Sequence, residues 1–236
     1  MLEAAPQAQD APVWSYNLPV PAGWPANVRR VAPVSLNKGK TFPPEVLSAA
    51  EVRALMRAAS PRSSSGLRAR AVIAVLWRGG LRIREALALF PRDVDVATGT
   101  VNVRRGKGRK QRMVGLDPAA IAVLELWMAR RRRLGLTGRH PLFATYSRGQ
   151  SFGQPVKCSY VRELLQKLAA RAGIEKRVHP HGLRHTHAFE LAQEGTPMHV
   201  IQKQLGHANL ATTARYIDHL CPHEVIEAMR GRSWEL

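Results

Sequence analysis

The stretch HGLRHTH, residues 181–187, gathers three imidazoles and one guanidinium into seven positions. On a helix, residues three apart emerge on one face, so His181 and Arg184 can converge on a single small anion. A guanidinium placed there offers a rigid fork suited to phosphate oxygens. Residues of related chemistry are scattered along the chain. Arg82 follows Gly79 and Gly80, where a helix end can bend the backbone and aim a side chain into a cleft. Glu85, three residues on, can hold that arginine or serve as an ordinary first-turn helix acid. Lys107 lies between Gly106 and Gly108 in RRGKGRK, flanks that let an ammonium reach a phosphate ester and protonate a departing oxygen. His207 stands just past a glycine helix stop in QLGH, and Tyr216 follows it in TTARYIDH. A phenol is a poor nucleophile until its proton is taken and the charge developing on phosphorus is offset.

The elements that must position these groups are mostly helical. Ser48 to Glu51 has the form of a capping box and opens a helix with Val52, Leu55 and Met56 on one stripe. SSSG, residues 63–66, reads as a loop before a second helix that ends at Gly79 and Gly80, and LRIREALALF reads as a third. From Asp93 to Leu116 the pattern alternates and is broken twice by turn chemistry, which predicts three short antiparallel strands. Asp117 and Pro118 suit the N-cap and first position of a helix running to Leu134 and stopped by Gly135. Further helices are expected over 159–172, 183–194, 197–205, 210–216 and 222–229. The fold class is therefore mainly α, an α+β arrangement with one small three-stranded antiparallel sheet. Residues 1–44 carry eight of the sixteen prolines, with Trp14 and Trp24 but no lasting period, and read as an extended arm ahead of a catalytic domain over 45–236.

Composition narrows the partner. The chain has 236 residues, with 36 lysines and arginines against 17 acids, a formal charge of +19. Such a balance favours a polyanion, with double-stranded DNA ahead of an anionic membrane because the charge is not gathered on one amphipathic helix. No apolar run has the length of a membrane span and the N-terminus lacks a leader pattern, so a cytosolic, nucleoid-associated protein is expected. Cys158 and Cys221 lack partners at zinc-type spacing and read as reduced thiols. A zinc site at His181, His185 and His187 is the weaker reading without HExxH or CxxC, and those last two histidines are expected to pack beside the site. Residues 104–112 hold Arg104, Arg105, Lys107, Arg109, Lys110 and Arg112 with no acid, and all but the lysine at the tip are expected to contact the DNA backbone. RRRR at 130–133 is either a solvated helix end or a phosphate contact.

Taken in order, GLRIRE, GKG in a hairpin loop, HGLRH, LGH and a tyrosine nine residues later resemble the catalytic domain of tyrosine recombinases, the phage-integrase and Xer-type family. The resemblance implies that Tyr216 attacks a DNA phosphate, joins the 3′-phosphate and releases a 5′-hydroxyl. It implies Arg82, Arg184 and His207 as donors to the non-bridging oxygens, His181 as proton carrier near the tyrosine and Lys107 as acid for the departing oxygen. It requires neither metal nor cofactor, and it implies self-association on DNA, from dimer to tetramer. Relatives usually carry a helical core-binding domain ahead of the catalytic one, so this chain is expected to be a minimal recombinase or a fragment. Two alternatives share the scaffold: a relaxing enzyme of the type IB topoisomerase kind, and a DNA-binding regulator without catalysis.

Overall fold

The computed structural model describes residues 46–104 and 111–206. Helix α1 (Ala49–Ala58) starts at the capping box read from the sequence. The Ser48 hydroxyl accepts the Glu51 N–H at 3.2 Å, and the Glu51 carboxylate accepts the Ser48 N–H at 2.6 Å. Its Val52 and Leu55 are buried. Helix α2 (Ser64–Trp77) is apolar nearly all round, as an interior helix must be, and packs against α4 (Pro118–Arg133) and α6 (Pro180–Gln193). Here one expectation fails, because 64–66 is the first turn of α2 and not a loop. Ser63 accepts the Gly66 N–H at 3.0 Å and caps the helix. Gly66 is present for close approach: a Cβ there would stand 2.0 Å from the Ser60 carbonyl oxygen.

Past α2 the chain turns through Gly80, at φ +59°, into the short helix α3 (Ile83–Leu87). A 3-10 turn, Pro91–Asp93, leads to strands β1 (Val94–Asp95), β2 (Thr100–Val103) and β3 (Arg112–Gly115), antiparallel in that order. Val101 faces Val114 and Val103 faces Arg112. The sheet predicted from alternation is therefore present, with a β1 of only two residues. Asp117 accepts the Ala120 N–H at 2.9 Å and Pro118 opens α4, as the sequence indicated. Within α4, Trp127 is wholly buried and donates its indole N–H to the Leu142 carbonyl at 2.9 Å.

Neither reading of the RRRR run survives for Arg131. It is 2% exposed and donates to the carbonyls of Thr137, His140 and Pro141, each at 3.1 Å, pinning the loop after α4. Two helices, α5 (Cys158–Arg171) and α7 (Met198–Leu205), complete the described elements. Helix α6 starts at Pro180, earlier than the expected Leu183. The His179 Nδ1 accepts the Gly182 N–H at 3.1 Å and Pro180 fits the first position, so His181 lies in the first turn. Arg78, at the end of α2, pairs with Asp117 at 2.5 Å and with Glu190 at 2.9 Å. One side chain thus fixes the start of α4 and the last turn of α6 relative to the Gly80 turn. Cys158 is a free thiol, and no described helix is long and apolar enough to cross a membrane. The arm with Trp14 and Trp24, Cys221, and the helices expected over 210–216 and 222–229 lie outside the described residues.

Candidate active site

Two arginines from different elements meet at the C-terminal end of α7. Arg184, on α6 and 3% exposed, donates to the Gly80 carbonyl at 2.5 Å and to the Leu205 carbonyl at 2.6 Å. Arg82, at the start of α3, donates to the neighbouring Gly206 carbonyl at 3.3 Å. Carbonyls at a helix C-terminus lack intrahelical partners and carry the negative end of the dipole, so they suit two cations. Adjacent backbone acceptors therefore draw together guanidiniums that lie far apart in the sequence.

Arg82 is oriented from its other side by Glu85. The Glu85 carboxylate accepts the Arg82 backbone N–H at 2.9 Å and its guanidinium at 2.9 Å, so the helix-acid role and the arginine-holding role are one arrangement. Arg112 reaches the same carboxylate from β3 through two bonds, at 3.0 and 2.7 Å. Burial alone would raise the Glu85 carboxyl. The Arg112 hydrogen bonds and the Arg82 N–H, with the charge of Arg112 and the Arg82 guanidinium, overcome that and hold it at about 2. Glu85 is consequently a carboxylate at any working pH.

His181 stands beside this pair. Partial burial lowers its pKa below the ordinary histidine value, and the charges of Arg184, His179 and Arg82 lower it further. The imidazole is neutral at pH 7 and able to accept a proton. Its ring meets that of His185 edge to face, with centroids 4.1 Å apart. His187 is buried behind the site, and both of its ring nitrogens lack a hydrogen-bond partner among the described residues. It packs, as expected for the later histidines of the motif, and it presses on Gly80, where a Cβ would stand 2.7 Å from its ring.

The sequence profile of the phage integrase family matches residues 45–222. The chain belongs to the phage integrase family. This family member is 36% identical over 186 residues to tyrosine recombinase XerC 2 of Ralstonia nicotianae (strain ATCC BAA-1114 / GMI1000), covering 77% of this chain and 52% of that one. It is 30% identical over 189 residues to tyrosine recombinase XerC of Syntrophus aciditrophicus (strain SB), covering 78% and 59%. The chain thus spans little more than half the length of these curated relatives. Among solved structures, XerA recombinase superposes with a TM-score of 0.69 at 31% identity, over 82% of this chain and 66% of that one. XerH site-specific recombinase, bound to a palindromic difH substrate in a post-cleavage complex, superposes with a TM-score of 0.66 at 26% identity, over 80% and 54%. The mainly helical fold with a small antiparallel sheet is that of these recombinases.

Of the site residues read from the sequence of this phage integrase family member, Arg82, Glu85, His181 and Arg184 come together. Lys107, His207 and Tyr216 lie outside the described residues, as do Arg105, Arg109 and Lys110. The remaining two expected DNA contacts, Arg112 and Arg104, are each paired with an acid of the fold. Arg112 is turned inward onto Glu85, with 13% of its side chain exposed, because it shares a face of β3 with the buried Val114. Arg104, its side chain half exposed, is ion-paired with the buried Asp93, which also accepts the Phe90 N–H. Both cations neutralise buried acids of the fold. Strand alternation was the signal that could have assigned Arg112. Nothing in local spacing announced Gln204, whose amide bonds the Gly115 backbone.

Proposed function

We propose that the protein is a site-specific DNA recombinase that cuts and rejoins strands through a covalent 3′-phosphotyrosine. The phenol oxygen of Tyr216 attacks the scissile phosphorus, the bond to the 5′-oxygen breaks, and the phosphate becomes esterified to the protein. Neutral His181 takes the phenolic proton, and Lys107 gives one to the departing 5′-oxygen. Arg82, Arg184 and His207 donate to the non-bridging oxygens, where charge builds in phosphoryl transfer; one well-aimed donor of this kind is worth about 3 kcal/mol of barrier. Attack by a 5′-hydroxyl of a second duplex reverses the step and completes the exchange.

The observation that carries this reading is the meeting of Arg82 and Arg184 on adjacent carbonyls, with neutral His181 beside them. Support comes also from relatives that are tyrosine recombinases. We take residues 45–236 as the catalytic unit, double-stranded DNA as its substrate, and two to four protomers on paired sites as the working assembly. The test is incubation with a pool of duplexes randomised around a nick placed just past the scissile phosphate, followed by denaturing electrophoresis. A covalent adduct that vanishes in Tyr216→Phe is expected. An adduct that survives this change moves the nucleophile elsewhere, and a chain that binds the pool without becoming attached is no strand transferase.

A further inference from the structure

We propose that Arg112 is a positioning residue for the phosphate clamp, orienting Arg82 through Glu85 and, together with Gln204, latching the β2–β3 hairpin to the end of α7. The proposal rests on the strand-transfer reading above. Arg112 grips both oxygens of Glu85, and the same two oxygens hold the backbone and the guanidinium of Arg82. One carboxylate lies between two guanidiniums, so the group keeps a net positive charge. Without Arg112, the carboxylate is held by Arg82 alone, the two form a closed neutral pair, and the Arg82 fork is no longer presented to a phosphodiester.

The latch is a second, independent contact. The Gln204 amide donates to the Gly115 carbonyl at 2.9 Å and accepts the Gly115 N–H at 3.1 Å, continuing the ladder of the edge strand β3 with a side chain. Arg112 adds a bond from its Nε to the Gln204 carbonyl at 3.4 Å. Its guanidinium passes so close to Gly206 that a Cβ there would lie 2.7 Å from its Nε. Apolar attachment of α7 is small, resting on Ile201 and Leu205 against Ala188, Leu191 and Ala192. These polar bonds consequently set where α7 ends. The chain linkage gives the latch its consequence: Val103 and Arg112 are the last pair before the connection that contains Lys107, and Gly206 is followed directly by His207. One side chain sits at the root of the lysine-bearing hairpin, on the acid that orients Arg82, and against the residue before His207.

The experiment uses the full chain, duplexes recovered by covalent capture from the randomised pool, single-turnover cleavage at saturating DNA, and affinity as a function of salt. Arg112→Gln is expected to slow cleavage by 10- to 100-fold while the slope of log affinity against log salt stays unchanged. Arg112→Lys is expected not to restore the rate, since a point charge cannot span both carboxylate oxygens. In a Glu85→Gln background, Arg112→Gln is expected to cost less than threefold more. Loss of Arg112 also removes the largest of the effects that hold the Glu85 carboxyl down, so it titrates higher and cleavage by Arg112→Gln falls more on acidification than cleavage by the unmodified chain. Where Arg112→Gln does not fold, Gln204→Leu takes its place, with slowed cleavage and an unchanged salt slope expected; an unslowed rate there overturns the proposal. Full rescue by lysine, losses that multiply with Glu85→Gln, or a salt slope reduced by about one with cleavage intact each overturn it. These outcomes leave the strand-transfer reading standing, whereas an unmodified chain that forms no Tyr216 adduct removes both.

Discussion

Arg184 is held by two backbone carbonyls before any substrate arrives, and that preorganisation is what a lysine cannot copy. Arg184→Lys is expected to lower single-turnover cleavage by about 10²- to 10³-fold, the scale of losing one aimed donor. Its neighbour His187 makes a different prediction, on stability. Burial first, then the charges of Arg78 and Arg184, push His187 down to about 3. The unfolded chain binds a proton below the ordinary histidine value of about 6.5 that the folded chain refuses. Stability tied to the neutral ring is therefore complete above about 6.5 and is lost as pH falls towards 3, at up to about 1.4 kcal/mol per pH unit. His187→Leu should flatten this dependence, measured as urea midpoints at pH 7 and pH 5; an unchanged slope assigns the acid sensitivity elsewhere. Arg82, Glu85, His181 and Arg184 were legible in the sequence because donors suited to phosphoryl transfer stand there in recognisable local settings. Their supports were not, because Arg112 and Gln204 act across the fold, and a cation in a basic run looks like a DNA ligand until strand register turns it inward.

At the scale of elements, the turn between α2 and α3 carries the greatest demand. Gly80 sits at φ +59°, and a Cβ there would meet His187 and Leu205 side-chain carbons, both at 2.7 Å. Gly80→Ala adds left-handed strain of about 1–2 kcal/mol to overpacking of about 1–3 kcal/mol, and it displaces the carbonyl that anchors Arg184. Gly135, at φ +81° with its nearest side-chain atom 3.8 Å away, separates the two effects. Gly135→Ala should show the strain alone in thermal unfolding and leave cleavage untouched; equal losses for the two variants would show that crowding at Gly80 plays no part. Helix boundaries followed the same logic of local against distant causes. The caps at Ser48 and Asp117 were readable because the capping side chain and its partner lie within three residues. The starts of α2 and α6 were misplaced: a serine-glycine run that looked like a loop is a capped first turn, and a histidine, an uncommon cap, opens α6.

For the whole molecule the dominant quantity is the charge of +19, and the described ion pairs determine how much of it faces outward. Glu51, Glu85, Asp93, Asp117 and Glu190 are each bonded to a cation of the fold, so these acids act as internal struts and leave the surplus positive charge for a polyanion. Affinity for duplex DNA should therefore fall steeply between 50 and 200 mM salt, with a slope of about −0.9 per phosphate neutralised. Arg104 tests which cations enter that count. Asp93 is 3% exposed and already occupied by Arg104 and the Phe90 N–H. Arg104→Gln strips a buried carboxylate of its counter-charge, so the loss should appear as about 1–2 kcal/mol of folding stability, with the salt slope of DNA binding unchanged. A slope shallower by about 0.9 with stability intact would instead place Arg104 on a phosphate, and would mean that the basic hairpin trades its Asp93 pair for DNA on binding.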